Sequence, residues 1–359
     1  MRRGDTELAV GSGLLYRSEG EYYIVTAWHN VTGRHCETLK CLDEKTLACP
    51  DNVVAYMSCM MKDKTGPQGF VRFPFVIPLY DEEKALYFVH EKQWPRVDVV
   101  AIPIFPDEFY EVEWYGQDGS KHVASKQMRN DIPSIGCGSD IVPIQGIETR
   151  FDKLREGGND VLNVGDELFI LGYPMGLIDD SGQPIWKRAT VATSPWVGWN
   201  REKKFLVDCA SREGMSGAPA LYYNKSGEIR AGASTYIVGR SVTLFWGIYT
   251  SRVGKTSEFE AQIGTVWRRE VVDEIIRSKI SPPASEGIEV APSIVRDTIS
   301  NMWPTDEDYP DMVKKSPHIA WHLTQLVMQK IEGRANPNDV HKLIISKAEE
   351  MCGNFIAID

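Results

Sequence analysis

The chain has 359 residues, 42% apolar and 25% charged, an ordinary globular balance with enough length for about two domains. A net charge of −10 argues against a general nucleic-acid binder, whose footprint would be basic. No apolar run reaches the roughly 18 residues of a membrane-spanning helix, so no membrane segment is expected.

The chain opens "MRRGDTELAVGSGLLY", two arginines with no apolar stretch behind them, and no secretory leader is expected. Seven cysteines, Cys36, Cys41, Cys49, Cys59, Cys137, Cys209 and Cys352, are odd in number and irregular in spacing. They read as reduced thiols of a cytoplasmic protein. His35, Cys36, Cys41 and Cys49 crowd one segment, but their spacing matches no standard zinc finger. That segment reads as a loop with small buried thiols, and neither metal nor cofactor is expected.

From about residue 6 to 268 short apolar or alternating runs recur, among them "YYIVTAW", "NVVAYMSCM", "GFVRFPFVIPLY", "VDVVAIPI", "DELFILGYP", "KFLVDCA" and "TLFWGIYTS". Gly, Pro, Asn and Asp clusters separate them, with no helix between, as in an all-β sandwich or barrel. The amount of chain suits two barrels. The first is expected over about 6–125, the second over about 158–268, with the irregular stretch 107–160 containing the connection.

"REVVDEIIRSKI", residues 269–280, places Val271, Val272, Ile275, Ile276 and Ile280 at helical spacing and closes a first unit over 1–280. A linker over 281–292 leads into a helical segment that ends at 359. There Ile319, Leu323, Leu326, Val327 and Ile331 form one stripe, with Gly333 as C-cap. Asn338 is the expected N-cap of a second stripe, Val340, Ile344, Ala348 and Met351. The acidic "PTDEDYPD", 304–311, reads as a solvated loop. This segment either packs on the barrels or recruits a protein partner.

Three stretches carry chemistry. His29 ends the hydrophobic run "YYIVTAW", Asp98 opens the apolar strand "DVVAIPI", and Ser216 sits in "SREGMSGAPAL" between Gly214 and Gly217. Each alone is ordinary: a histidine after a strand, an aspartate in a turn, a serine in a tight loop. Together, in the order His, Asp, Ser, they resemble the trypsin-like (chymotrypsin-fold) serine peptidases, in particular the bacterial intracellular branch. "VTAWHN", "DVVAIPI" and "GMSGAP" look like that family's histidine, aspartate and serine motifs. "ELFILGYPMG", 167–176, is similar to its "GYP-x-G" strand, and "IGTVWRREVVDEII", 263–276, to its last strand and helix.

The resemblance implies a mainly β fold of two six-stranded antiparallel barrels with a C-terminal helical extension. It implies a serine endopeptidase that hydrolyses peptide bonds through an acyl-enzyme. His29 would be the base, Asp98 its orienting partner and Ser216 the nucleophile. The backbone N–H groups of Gly214 and Ser216 would form the oxyanion hole. His90 lacks the strand context of His29 and reads as structural.

Two positions depart from the family. Met215 replaces an aspartate that in secreted members pairs with a freshly cut N-terminus, and Ala218 replaces a glycine. Regulation by a partner or ligand is therefore expected in place of activation by cleavage. The specificity pocket falls at Ala210, Ser211, Thr250, Ser251 and Arg252, with no acidic residue at its base. Arg252 either lines it, ready to receive an acidic side chain, or points to solvent or pairs with a local glutamate such as Glu258. Trp186, Trp196, Trp199 and Trp246 read as caps of barrel cores. The expected partner is a polypeptide substrate, and the competing reading is a trypsin-fold scaffold that binds peptides without cutting them. An esterase elbow is excluded, because the serine comes last and the second outer glycine is missing.

Overall fold

The computed structural model describes residues 1–359 except 44–45, 64–65, 82–83, 117, 129–161, 181, 232–233, 238, 240, 253–261, 283–289 and 354–359. Much of the expected connection between the halves therefore lies outside the described residues, as does the side chain of Cys59.

The N-terminal half is built from nine strands. These are β1 (Arg2–Arg3), β2 (Thr6–Glu7), β3 (Leu14–Ser18), β4 (Glu21–Thr26), β5 (Asn52–Asp63), β6 (Gly66–Pro78), β7 (Val100–Ile104), β8 (Phe109–Tyr115) and β9 (Lys121–Gln127). They form a six-stranded sheet in the order β2-β1-β5-β6-β8-β9 and a separate three-stranded sheet, β3-β4-β7. A first closed barrel is not shown: among the described residues this ladder does not close, and β3, β4 and β7 pair in a sheet of their own. The two sheets still share one apolar core, with Tyr22 of β4, Phe75 and Ile77 of β6, Val100, Ile102 and Ile104 of β7, and Val112 of β8.

The C-terminal half is a closed six-stranded barrel. Its strands are β10 (Glu167–Gly172), β11 (Ile185–Val191), β12 (Lys204–Asp208), β13 (Ala218–Asn224), β16 (Val242–Arg252) and β17 (Ile263–Arg268). They run in the order β10-β11-β12-β17-β16-β13. A hairpin of β14 (Glu228–Ala231) and β15 (Ser234–Ile237) projects separately. Leu168, Ile170, Phe205, Val207, Leu244 and Val266 fill the barrel.

A third core joins the halves. Leu14, Tyr16, Val25 and Ala101 of the three-stranded sheet, with Val99 just before β7, meet Leu221, Phe245, Ile248 and Trp267 of the barrel. Helix α2 (Arg269–Ser278) closes this seam with Val271, Val272, Ile275 and Ile276. It is shorter than expected. Lys279 takes a left-handed cap with φ 49°, and Ile280, outside the helix, forms a bridge with Val89.

Among its described residues the extension contains four helices: α3 (Pro292–Met302), α4 (Tyr309–Lys315), α5 (Pro317–Lys330) and α6 (Pro337–Gly353). The expected loop at 304–311 thus runs into α4. Leu326 and Met351 fall outside the buried stripes, at 37% and 39% exposure, while Met328 lies inside. Asn336, not Asn338, caps α6: its side-chain oxygen accepts the Asn338 N–H at 2.9 Å. Gly333, with φ 74°, lies three residues beyond α5, and its carbonyl accepts from Cys49 N (3.1 Å). Arg34 Nη2 donates to Glu332 O at 2.9 Å. The extension therefore packs on the N-terminal half. Among the described residues no helix is long and apolar enough to cross a membrane.

Candidate functional site

Register brings the first two residues together. β4 and β7 are antiparallel, and Thr26 at the end of β4 pairs with Val100 at the start of β7. His29, three residues beyond that pair, and Asp98, two before it, emerge at the same end of the sheet. His29 lies on the short helix α1 (Trp28–Thr32). Its backbone N–H donates to Asp98 Oδ1 at 3.0 Å, and Nδ1 lies 2.8 Å from Oδ2 and 3.0 Å from Oδ1. With a carboxylate oxygen as acceptor, Nδ1 is the donor of this contact and Nε2 is the ring nitrogen that Asp98 leaves free. Asp98 is buried at 3% exposure, whereas the His29 side chain is 16% exposed.

Ser216 arrives from the barrel. It precedes β13, whose first residue, Ala218, pairs with Tyr249 of β16. The β16–β17 register shifts between Tyr249 and Ser251, a bulge that frees the Thr250 carbonyl from the ladder. The Ser216 hydroxyl donates to that carbonyl at 2.8 Å. A hydrogen bond between Ser216 Oγ and His29 is not formed.

Polar staples nevertheless hold the serine loop against the His29 segment. Asn30 Nδ2 donates to Ser216 O at 2.9 Å and to Thr26 Oγ1 at 2.9 Å. Ser12 N donates to Ser216 O (2.8 Å), and Ser12 Oγ donates to Gly214 O (2.6 Å) while accepting from Tyr173 N (3.0 Å). A Cβ on Gly217 would lie 2.1 Å from Ser12 O and 2.3 Å from Thr26 Oγ1. Its glycine therefore admits the N-terminal half. Sequence reasoning missed Ser12 and Asn30. The signal for Ser12 was its two flanking glycines.

The loop's amide groups alternate. Met215 N donates to Arg212 O (3.2 Å) and Gly217 N to Tyr249 O (2.8 Å). Among the described residues, Gly214 N and Ser216 N donate to no protein group. The Glu213 carbonyl accepts from Met175 N at 2.7 Å, in the short 3-10 turn Pro174–Gly176. In a trans peptide the C=O and N–H point oppositely, so this contact turns the Gly214 N–H away from that turn. Gly214 has φ 87°, and a Cβ there would lie 2.2 Å from Tyr173 O. Met215 is fully buried in the barrel core.

Of the expected pocket residues, Ser211 and Thr250 are buried, Ala210 is half-buried, and Ser251 and Arg252 are exposed. Tyr249, not foreseen, lies between them, its hydroxyl 2.5 Å from Ser211 Oγ. Burial pushes the Tyr249 phenol up to about 12.

The other candidates serve structure. His90 Nδ1 accepts from the N–H groups of Lys92 and Gln93, and Nε2 pairs with Glu274 of α2 at 3.1 Å. Trp196 and Trp246 pack edge-to-face against the barrel core, with ring centroids 5.5 Å apart. Trp186 and Trp199 are exposed and cap no core. Among the described residues no group of three or more His, Cys, Asp or Glu side chains is placed to hold a metal. Cys36, Cys41, Cys49, Cys209 and Cys352 are free thiols.

No protein-family model matches the chain. No curated protein matches it. Among solved structures, the chain is similar to the inactive form of Rv3671c from M. tuberculosis H37Rv, a serine-to-alanine mutant. The likeness covers 75% of this chain and 80% of that one, at 12% identity and a TM-score of 0.29. A likeness this faint carries no argument about function.

Proposed function

We propose that the chain is a serine endopeptidase in which Ser216 is the nucleophile, His29 the general base and acid, and Asp98 the residue that orients His29. One observation carries this reading: an imidazole held by a buried carboxylate stands beside a serine loop whose Gly214 and Ser216 N–H groups are both unengaged.

A serine hydroxyl is a weak nucleophile and needs an adjacent base. The Ser216 hydroxyl leaves Thr250 O by rotating about χ1 and presents its proton to His29 Nε2. Catalytic hydrogen bonds are often unformed before substrate binds, so the resting contact with Thr250 fits this role. As Oγ bonds to the substrate carbonyl carbon, His29 takes the proton and Asp98 stabilises the imidazolium. The carbonyl oxygen becomes an oxyanion and accepts from Gly214 N and Ser216 N. Collapse breaks the C–N bond, and His29 hands its proton to the leaving amine. Water, deprotonated by His29, then releases the acyl group and restores Ser216.

A fluorophosphonate probe tests this. Covalent labelling of the wild-type chain, lost in Ser216→Ala and strongly slowed in His29→Ala, is the expected result. Absence of labelling in the wild type overturns the reading and favours a peptide-binding scaffold.

A further inference from the structure

With Ser216 read as the nucleophile and the acyl-side pocket taken where the sequence places it, at 210–211 and 250–252, that pocket lies between two segments. One is 210–213, the chain leading into the serine. The other is the end of β16, whose Thr250 carbonyl holds the serine hydroxyl. Tyr249 spans that gap. It is 2% exposed, and its hydroxyl is hydrogen-bonded to Ser211 Oγ at 2.5 Å. Its ring lies on Gly264 of β17: a Cβ there would sit 2.2 Å from Tyr249 Cε2 and 2.7 Å from its hydroxyl oxygen. Cys209, Met215 and Ala218 belong to the same buried cluster. The ring cannot swing out without stripping a buried hydroxyl of its partner and opening a void. Arg252 is exposed.

We propose that Tyr249 is a specificity-determining residue that fills the acyl-side pocket, so that only glycine, alanine or serine is accepted immediately before the cleaved bond. The Ser211 hydrogen bond fixes the ring, and Gly264 leaves the space the ring occupies. A leucine, phenylalanine, lysine or glutamate side chain has nowhere to go beside Ser216.

The test uses two peptidyl diphenyl phosphonates that differ only in alanine or phenylalanine at the reacting position. Each bonds through phosphorus to Ser216 Oγ and releases one phenol. The wild-type chain is expected to react at least roughly 100-fold faster with the alanine probe, the scale on which apolar pockets discriminate by size. Tyr249→Val is expected to narrow or reverse that ratio. Tyr249→Phe, which keeps the ring, is expected to retain the preference, so the result does not depend on the smaller variant folding well. A small fluorophosphonate, which needs no pocket, reports the nucleophile separately. Labelling by it together with equal rates for the two phosphonates in the wild type overturns the assignment of Tyr249 alone. An unchanged ratio in a folded Tyr249→Val chain does the same. No labelling by the fluorophosphonate overturns the nucleophile and this assignment together.

Discussion

Asn30 and Ser216 are 186 residues apart in the chain, yet the Asn30 side-chain amide donates to the Ser216 carbonyl across 2.9 Å. Asn30 follows the histidine directly. This bond therefore ties the segment of His29, the proposed base, to the loop of Ser216, the proposed nucleophile. Asn30→Ala leaves the Ser216 carbonyl with Ser12 N as its remaining donor and removes the donor to Thr26 Oγ1. The expected outcome is about 1–2 kcal/mol of lost stability. Fluorophosphonate labelling should slow on the order of 10- to 100-fold, because small misplacements of a base are costly. Melting and labelling measured on the same sample check both.

Asp98 accepts two bonds from His29, one from the ring and one from the backbone. Asp98→Asn keeps an oxygen for one of them but offers an N–H₂ to the other. The ring then favours the tautomer with its proton on Nε2, which cannot accept from Ser216. In the serine–histidine–aspartate template this substitution lowers kcat on the order of 10⁴-fold. A similar loss is expected here, with a melting temperature close to wild type. A loss of less than tenfold would remove Asp98 from the proposed mechanism.

Much of the site was legible because its signals are local. "VTAWHN" and "DVVAIPI" each combine a strand with a polar residue at its end, and antiparallel pairing of those strands suffices to bring His29 to Asp98. Likewise the stripe Val271, Val272, Ile275 and Ile276 predicted α2 because helical spacing is written in adjacent residues. What was not legible depends on tertiary approach. Ser12 and Asn30 bond to backbone groups of a loop some 200 residues away, and apart from the glycines around Ser12 nothing local marks such a partner. The arrangement of the first half was illegible for a related reason: strand character shows in the sequence, but the choice of edge partner does not, and β3, β4 and β7 pair in a separate sheet. The α6 cap was readable and was misread. Proline favours the first helical position, so in "NPND" the residue before Pro337 is the cap.

Gly214 is held where a side chain cannot go. Its φ of 87° is costly for an L-residue, and Tyr173 O occupies the position beside its Cβ. Gly214→Ala must displace the 173–176 turn or rotate the 213–214 peptide, and either change moves the N–H proposed for the oxyanion. Labelling and turnover are expected to fall roughly 10²- to 10³-fold, the usual cost of one oxyanion donor. Gly20→Ala is the control. Gly20 has φ 90° but nothing within 4 Å of a Cβ, so it carries only the backbone cost, about 1 kcal/mol. Its activity should match wild type. Equal activity of the two variants would show that the 213–214 peptide has no role.

The acid limit of the fold should be set partly at Glu113, in β8. Burial alone would raise this carboxyl. Arg2 Nη1 at 2.5 Å and Lys121 Nζ at 2.7 Å outweigh that effect and bring its pKa down to about 2. In the unfolded chain a glutamate titrates near about 4.3. A folded pKa below the unfolded one means that the folded state holds the proton less readily, so the ion pairs stabilise the fold fully above about 4.3. That contribution is lost as pH falls from there toward about 2. Glu111, on the same strand, is shifted the other way, by burial first and then by its hydrogen bond with Glu113. Protonation begins at Glu111 and spreads the transition. Melting temperature followed from pH 6 to 2 should show a wild-type decline that Glu113→Gln reduces, with the largest difference between the two proteins at the neutral end. Parallel curves offset by a constant would mean that Glu113 contributes packing but no charge-dependent stability.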